Sequence, residues 1–328
     1  MSPATRVPVG VIGVGALGQH HARHLGGLPD ALLVGVYDHN SARASEVAAR
    51  CGTVAFPDLD QLLARVKAVS IAVSTPAHAE IGLHALARGV AVLMEKPLAS
   101  TLAEADALVG AARRHGLQLQ VGHIERFNRA VRAARPWLDE PRFLESHRLA
   151  PFQPRGTDVA VILDLMIHDL DLVLHLLGGA EPTDVRAVGV AVLSPFPDMT
   201  NARVEFVGGA IADVTASRIA HDRVRRLRIF QPNGYLSLDL ATGGGEFLRL
   251  KEGWTPGTGA GIDDIVERIP LEAPDGDALR MELESFVHSV QGDRETVVTG
   301  EEGRAALKLA LQVGEAVARA PVVLRPGK

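Results

Sequence analysis

Three groups of residues in this 328-residue chain have the types and spacing for chemistry. The first is Gly13-Val14-Gly15-Ala16-Leu17-Gly18, set between an apolar run and an Ala-rich stretch. Gly13 permits a tight turn, Gly15 lets backbone approach a pyrophosphate, and Gly18 lets a helix pack close to a strand. The helix N-terminus, with Ala16 and Leu17 in its first turn, offers unpaired N–H groups and a partial positive charge to phosphates. Asp38 lies 20 residues past Gly18, where a carboxylate accepts hydrogen bonds from the adenosine ribose. Strand, glycine turn, helix and acid in that order predict dinucleotide binding. The Asp38 charge would repel a 2′-phosphate and so favours NAD, while Arg43, one helical turn on, keeps NADP as the alternative.

The second group lies at the carboxyl ends of later strand candidates, where an open α/β sheet gathers its ligands. Ser74-Thr75-Pro76 with His78 follows the fourth strand, and Glu95-Lys96-Pro97 follows the fifth. Gly122-His123 follows the sixth, with Glu125, Arg126 and Asn128 behind. Each alone reads as a polar loop, and Glu95-Lys96 as a surface ion pair worth little. Their coincidence at one sheet edge points to a site. The third group is Asp164 and His168, at i and i+4 and hence on one helix face, continued by Asp171 and His175. Imidazole, with an unperturbed pKa near ~6.5, can accept a hydroxyl proton at neutral pH. Two other readings of this helix stay open: carboxylate and imidazole as metal ligands, and a polar face turned to solvent. For Asp169, Asp171 and His175 the expectation is solvent or a helix–helix contact.

The elements that must position these residues follow from periodicity. Strands are expected at Val7–Ile12, Ala31–Tyr37, Val54–Phe56, Ala68–Val73, Val90–Met94 and Leu117–Val121. Between them come helices at Ala16–Leu25, Ser41–Arg50 (with Ser41 as N-cap), Leu59–Val66, Ala77–Arg88 and Leu102–His115. That alternation is a doubly wound parallel sheet. The rhythm changes after Ile124, which sets a first domain over 1–124 and a second, α+β domain over 125–328. In the second, Arg142–Leu149 reads as a strand and Asp158–Leu177 as one long helix ended by Gly178-Gly179. Strand candidates follow at Val185–Leu193, Ala202–Phe206, Ala210–Arg218, Val224–Phe230, Tyr235–Asp239 and Glu246–Lys251, with a hairpin signal at Asn233-Gly234. Helices near Ala278–Gln291 and Gly303–Ala320 close the chain.

Composition narrows the classes. The 34 Lys+Arg against 39 Asp+Glu leave a net charge of −5, so nucleic acid is not the expected partner. The single cysteine, Cys51, cannot form an internal disulfide. The apolar N-terminus is too short and Gly-rich for a signal peptide. Val159–Leu177 is broken by Asp164, His168, Asp169, Asp171 and His175 and does not read as a membrane span. A cytoplasmic protein with no membrane partner is expected.

The order GVGALG, STPAHAE, MEKPLA, with the closing ELESFVHSVQG and TVVTGEEGRAALKLA, resembles the glucose–fructose oxidoreductase / inositol dehydrogenase / rhizopine catabolism (Gfo/Idh/MocA) family over nearly the whole chain. The resemblance implies a Rossmann domain followed by an open, mostly antiparallel sheet domain. It also implies NAD, with Lys96 near the nicotinamide and the reacting hydroxyl and Glu95 near the nicotinamide ribose. His168 would be the acid/base, Asp164 its orienting carboxylate or a substrate ligand, and the Lys96 ammonium a stabiliser of alkoxide character as hydride leaves. No metal is called for, since hydride transfer to NAD needs none. VGHIERFNRA, HRLAPF and VILDLMIHDLDL are similar to a narrower group within the family, apart from Arg129, where that group commonly has proline. Its members oxidise the 3-hydroxyl of UDP-N-acetylglucosamine to a ketone, which is transaminated for 3-amino lipid A synthesis. That resemblance makes His123, Arg126 and Asn128 substrate candidates. A diphosphate would also need donors in the second domain, with Arg148, Arg155 and Arg218 as candidates, or else as surface or inter-subunit arginines. An inositol or free-sugar dehydrogenase and a non-catalytic NAD- or sugar-binding regulator are the alternatives. A sheet covered by helices on one side only leaves a face to bury, which predicts a homodimer or homotetramer.

Overall fold

The computed structural model describes residues 6–153, 159–255 and 261–319. In chain order the first part runs β1 (Val7–Ile12), α1 (Gly18–Gly26), β2 (Ala31–Tyr37), α2 (Ser41–Cys51), β3 (Val54–Ala55) and α3 (Leu59–Leu63). It continues with β4 (Ala68–Ile71), α4 (His78–Ala87), β5 (Ala91–Glu95), α5 (Leu102–His115) and β6 (Leu119–Gly122). The six strands pair in parallel in the order β3-β2-β1-β4-β5-β6. Val9, Val11 and Ile12 of β1 and Val92, Leu93 and Met94 of β5 are all buried, as strands covered on both faces must be. The chain reverses its direction of winding between β1 and β4, and the carboxyl ends of those strands open the crevice where such sheets bind ligands. The cap of α2 is Asn40, whose Oδ1 accepts from the Arg43 N–H at 3.1 Å; Ser41, the expected cap, is the first helical residue.

The later part holds α6 (Arg129–Ala134), β7 (Phe143–Leu149), a π-helical turn at Ile162–Met166 running into α7 (Ile167–Leu176), β8 (Pro182–Val190), β9 (Met199–Phe206) and β10 (Ile211–Ser217). Then come β11 (Val224–Gln231), β12 (Gly234–Asp239), β13 (Gly244–Leu250), α8 (Ile262–Ile265) and β14 (Val266–Pro270). The eight strands lie in the order β14-β13-β12-β11-β7-β10-β9-β8, antiparallel throughout except where β7 and β10 run parallel. Side chains alternate across this sheet. Leu144, Ser146 and Arg148 of β7 are buried on the face that carries α7, while Phe143, Glu145 and His147 stay half-exposed on the other. The Asn233-Gly234 signal marks a real hairpin: Gln231 pairs with Gly234, so Pro232 and Asn233 form the two-residue loop. A Cβ on Gly234 (φ +149°) would strike the Leu248 carbonyl oxygen, so glycine is required there.

The expected long helix is two pieces. Asp158 lies outside the described residues, and the π turn precedes α7. Gly178 (φ +63°) and Gly179 (φ +78°) end it as expected. The chain forms two compact units. One gathers the chain up to Phe127 together with Gly276–Leu307; the other holds Asn128–Asp275 and the chain from Lys308. A division after residue 124 assigns everything later to the second domain, but the chain returns. Leu283, Phe286 and Val287 of α9 (Ala278–Gln291) share one buried cluster with Val7, Val9, Leu25 and Ala31. Their i, i+3, i+4 spacing gives α9 the apolar stripe that packs on α1. The last helix is α10 (Gly300–Arg319).

Candidate active site

In the first unit β1 passes into Gly13 at φ +81°, where a Cβ would lie 2.6 Å from Val73 and 2.9 Å from the Ala72 carbonyl oxygen. A Cβ on Gly18 would collide with the Gly13 carbonyl oxygen, so the turn and the start of α1 are in close contact. Gly15 differs. A Cβ there meets only the Arg43 guanidinium, at 3.8 Å, so its backbone faces open space. No side chain caps the first turn of α1, and Ala16 and Leu17 are exposed beside it. Asp38 fastens this arrangement: Oδ2 accepts from the Val14 N–H and Oδ1 from the Asn40 N–H, both at 2.9 Å. Each carboxylate oxygen can accept a second hydrogen bond, which suits a ribose diol. Open backbone at Gly15, an uncapped helix start and an anchored carboxylate fit the adenosine diphosphate half of a dinucleotide.

Arg43 stands 3.6 Å from Asp38 Oδ2 and so is already balanced by that carboxylate. Asp38→Ala should therefore weaken NAD about 10- to 100-fold, the usual worth of ~1.5–3 kcal/mol for hydrogen bonds to a charged group. NADP should gain at the same time, because the repulsion goes and Arg43 is released. Fluorescence titration with both cofactors checks this, and an unchanged preference would remove Asp38 as the discriminating group.

Glu95 ends β5 and leads into Lys96 and Pro97. Its Oε1 is 3.0 Å from His21 Nε2, and the other nitrogen of that ring is 2.7 Å from Ser70 Oγ on β4. Glu95 Oε2 accepts from the Lys96 backbone N–H at 3.2 Å. Burial pushes the Glu95 carboxyl up, but the His21 hydrogen bond and charge, and then the charge of Lys96, outweigh it and hold it below its ordinary value. His78 begins α4 with Nδ1 2.9 Å from the Pro97 carbonyl oxygen and Nε2 3.2 Å from that of Val73. Burial pushes its pKa down, against the two carbonyls and the Glu95 charge. Ser74 and Pro76 are exposed and Thr75 half-buried, around a short 3₁₀ turn. Sequence reasoning missed His21 and Ser70. The available signal was a polar residue on the core-facing stripe of α1, with Gly18, Ala22 and Leu25.

Several expected ligands are used inside the protein. Arg126, its side chain 1% exposed, donates to Glu302 Oε1 at 2.8 Å. Asn128 caps α6, accepting from the Ala130 N–H at 3.0 Å and donating to the Leu240 carbonyl at 2.8 Å. Arg148 grips Asp169 with Nε at 2.6 Å and Nη2 at 3.2 Å, and Ser146 donates to the same carboxylate. Arg218 donates through Nε to Asp198, through Nη1 to the Val159 carbonyl and through Nη2 to Ser194 Oγ, each at 2.8 Å. Asp198 also receives the N–H groups of Val192, Leu193 and Ser194. Burial would raise its pKa, but those donors and Arg218 hold the carboxyl well below the usual range. These four side chains hold the protein's own groups in this structure. Asp169 and Asp171 are buried, which corrects the solvent-facing reading of both. Arg129 fits its place by donating to the Ala273 carbonyl at 3.1 Å and pairing with Asp275 at 2.9 Å. His123 is buried behind β6. Arg155 lies outside the described residues.

In the second unit Asp164 sits in the π turn and His168 in the first turn of α7. Both are half-buried, whereas Met166, Ile167, Asp169 and Leu170 around them are buried, so the two share the more open side of this segment. A π turn widens the helix and recurs at functional sites. The Nδ1 atom of His168 is buried. Among the described residues no cluster of three or more His, Cys, Asp or Glu is arranged to hold a metal ion. Among them, too, no helix is long and apolar enough to cross a membrane.

A parallel sheet in this order, with a glycine turn and an anchored carboxylate after β2, defines a dinucleotide-binding fold. Residues 7–123 match the family described as oxidoreductase family, NAD-binding Rossmann fold, and residues 125–237 match the GFO/IDH/MocA C-terminal domain. The chain belongs to the Gfo/Idh/MocA family and is an NAD-dependent oxidoreductase. It is 43% identical over 309 residues to UDP-N-acetylglucosamine 3-dehydrogenase from Acidithiobacillus ferrooxidans, covering 94% of this chain and 96% of that one. The solved structure of that enzyme superposes with a TM-score of 0.89 at 42% identity, covering 95% of this chain and 97% of that one. The NAD-dependent scyllo-inositol 2-dehydrogenase of Bacillus subtilis is 31% identical over 232 residues, 65% of this chain and 68% of its own.

Proposed function

We propose that the chain oxidises the 3-hydroxyl of UDP-N-acetylglucosamine to the 3-ketone. The observation that carries this reading is the 43% identity, sustained over 94% of the chain, to an enzyme with that activity. Inositol dehydrogenases match at lower identity, 31% over 65% of the chain or 26% over 92% of it. In the proposed reaction His168 Nε2 takes the hydroxyl proton, and Asp164 orients the ring or the sugar. The Lys96 ammonium stabilises the oxygen as it gains alkoxide character. Bound NAD supplies the hydride acceptor for the carbon-bound hydrogen. Two electrons and one proton leave as hydride and the second proton goes to His168, so the step balances. The product is a 3-keto sugar nucleotide, the form a transaminase of 3-amino lipid A synthesis would take, and the cytoplasm is the proposed location.

Absorbance at 340 nm with NAD tests it. The panel is UDP-N-acetylglucosamine, its uronic acid, free N-acetylglucosamine, glucose and myo-inositol, with an amine-transferring partner to draw off ketone. NADH with UDP-N-acetylglucosamine alone supports the reading. NADH with inositol or a free sugar removes the nucleotide requirement, and silence with NAD bound favours a regulator.

The same proposal includes a homodimer or homotetramer packed through the outer face of the eight-stranded sheet. Phe230 is 38% exposed there, stacked on Tyr235 with ring centroids 4.9 Å apart, and Val188 is 51% exposed on β8. Exposed aromatic and aliphatic side chains on this face, beside the Arg228–Glu145 and Arg203–Asp213 pairs, support an interaction surface there. Light scattering at micromolar protein should give a multiple of 34.8 kDa, and Phe230→Asp should lower it. A monomeric wild type sinks this part.

A further inference from the structure

The β4–β5 ladder stops at the pair Ile71–Met94, one residue short of Glu95. Past that point two imidazoles hold the Glu95-Lys96-Pro97 turn, His21 from Ser70 on β4 and His78 from the start of α4. His21 bridges Ser70 Oγ, at 2.7 Å, and Glu95 Oε1, at 3.0 Å. His78 has Nδ1 2.9 Å from the Pro97 carbonyl oxygen, with Nε2 3.2 Å from that of Val73. Both rings are 1% exposed. Proline has no N–H, so its carbonyl is the only backbone hydrogen-bonding group Pro97 has to offer.

We propose that His21 and His78 are positioning residues that clamp the turn at its two ends and so fix where the Lys96 ammonium stands. This rests on the role given to Lys96 above. Ser70, His21 and Glu95 have the composition of a nucleophile, base and orienting acid. Ser70 is itself 1% exposed, though, and no substrate carbonyl could reach its Oγ. The chain ends on Glu95, whose second oxygen holds the Lys96 N–H, so it acts on the turn. A carbonyl oxygen can only accept, so the shorter contact of His78 places a proton on Nδ1. A carboxylate can only accept as well, so His21 carries a proton on Nε2.

The two rings therefore use different nitrogens toward the turn, and amide replacements separate them. Asparagine places its Nδ2 where a histidine has Nδ1; glutamine places its Nε2 where a histidine has Nε2. His78→Asn and His21→Gln keep the bond to the turn, while His78→Gln and His21→Asn lose it. All four are polar and near the original volume, so folding is expected in each and is checked by thermal unfolding. Turnover is read with UDP-N-acetylglucosamine and NAD, and the emission of bound NADH is read without substrate. The bond-losing pair should fall about 100-fold in kcat, the cost of a misplacement near 1 Å, with the Kd for NAD unchanged. Its bound-NADH emission should shift. The bond-keeping pair should match the wild type in both. Four variants alike, whether all active or all slow, would overturn the clamp, since the rings would then matter only as volume. Lys96→Ala separates the two proposals. If it retains wild-type turnover, the role of Lys96 fails, and the emission of the four variants still decides the clamp. If it is slow while all four variants are fast, the clamp alone fails.

Discussion

Replacing Lys96 by alanine lowers kcat about a thousandfold, the upper end of what one donor aimed at a developing oxyanion contributes, and leaves NAD affinity near wild type. The expectation follows from when its charge is needed. A sugar hydroxyl carries no net charge in the ground state and becomes anionic only as its proton leaves. An ammonium at that oxygen therefore binds the transition state more tightly than the substrate, and removing it lowers kcat more than it raises KM. In the proposed site the adenosine diphosphate half of the cofactor is held elsewhere, by the Gly13–Gly18 turn, the start of α1 and Asp38. Steady-state kinetics give kcat and KM, and quenching of protein fluorescence gives the Kd for NAD. A fall in NAD affinity equal to the fall in turnover would make Lys96 a cofactor ligand. Unchanged turnover would end its catalytic role. A regulator would have no turnover to lose, so the same variant also separates enzyme from binding protein.

Glu95 next door sets a different expectation. Its carboxylate is held below its ordinary pKa by His21 and Lys96 against the pull of burial, and it receives the Lys96 N–H. An alanine at 96 removes one source of that support but not the backbone N–H. The turn should keep its shape, which is why the loss is assigned to the missing ammonium.

What the sequence made legible was whatever local physics enforces. β1 and β2 have the bounds that periodicity predicted, because each is an apolar run closed by glycine or acid, at Gly13 and Asp38. Gly13, Gly15, Gly18 and Asp38 were legible because each answers a backbone or charge requirement at a fixed offset. What depends on distant partners was not. β14 was missed because Val266–Pro270 is charged and short and owes its pairing to β13. The parallel pairing of β7 with β10 and the return of α9 to the first unit involve residues far apart in sequence. The internal ion pairs of Arg126, Arg148 and Arg218 were hidden for the same reason. An arginine in a strand or turn looks available until Glu302, Asp169 and Asp198 are seen beside it. The buried Arg148–Asp169 pair could not be inferred from the α7 pattern, which offered Asp169 to solvent or to another helix, whereas its partner is on strand β7.

Replacing His168 by alanine should lower kcat about 10²- to 10⁴-fold, the range for a positioned acid/base. The effect should depend on pH in a way that identifies the group. The proposed step needs His168 able to accept a proton, so wild-type kcat/KM should fall as the pH drops through the range where an imidazole becomes protonated. In His168→Ala that acid limb should vanish, leaving a low rate with a weaker pH dependence set by hydroxide. Asp164 offers the contrast. It shares the open side of the helix with His168, and asparagine there keeps the size of the side chain while removing the carboxylate. Asp164→Asn should keep the acid limb, displaced to lower pH because the imidazolium loses a stabilising charge. The measurement is kcat/KM for both variants and the wild type between pH 5 and 9. An acid limb that survives in His168→Ala would assign the proton transfer to another group. Asp164 losing the limb while His168→Ala keeps it would reverse the two roles.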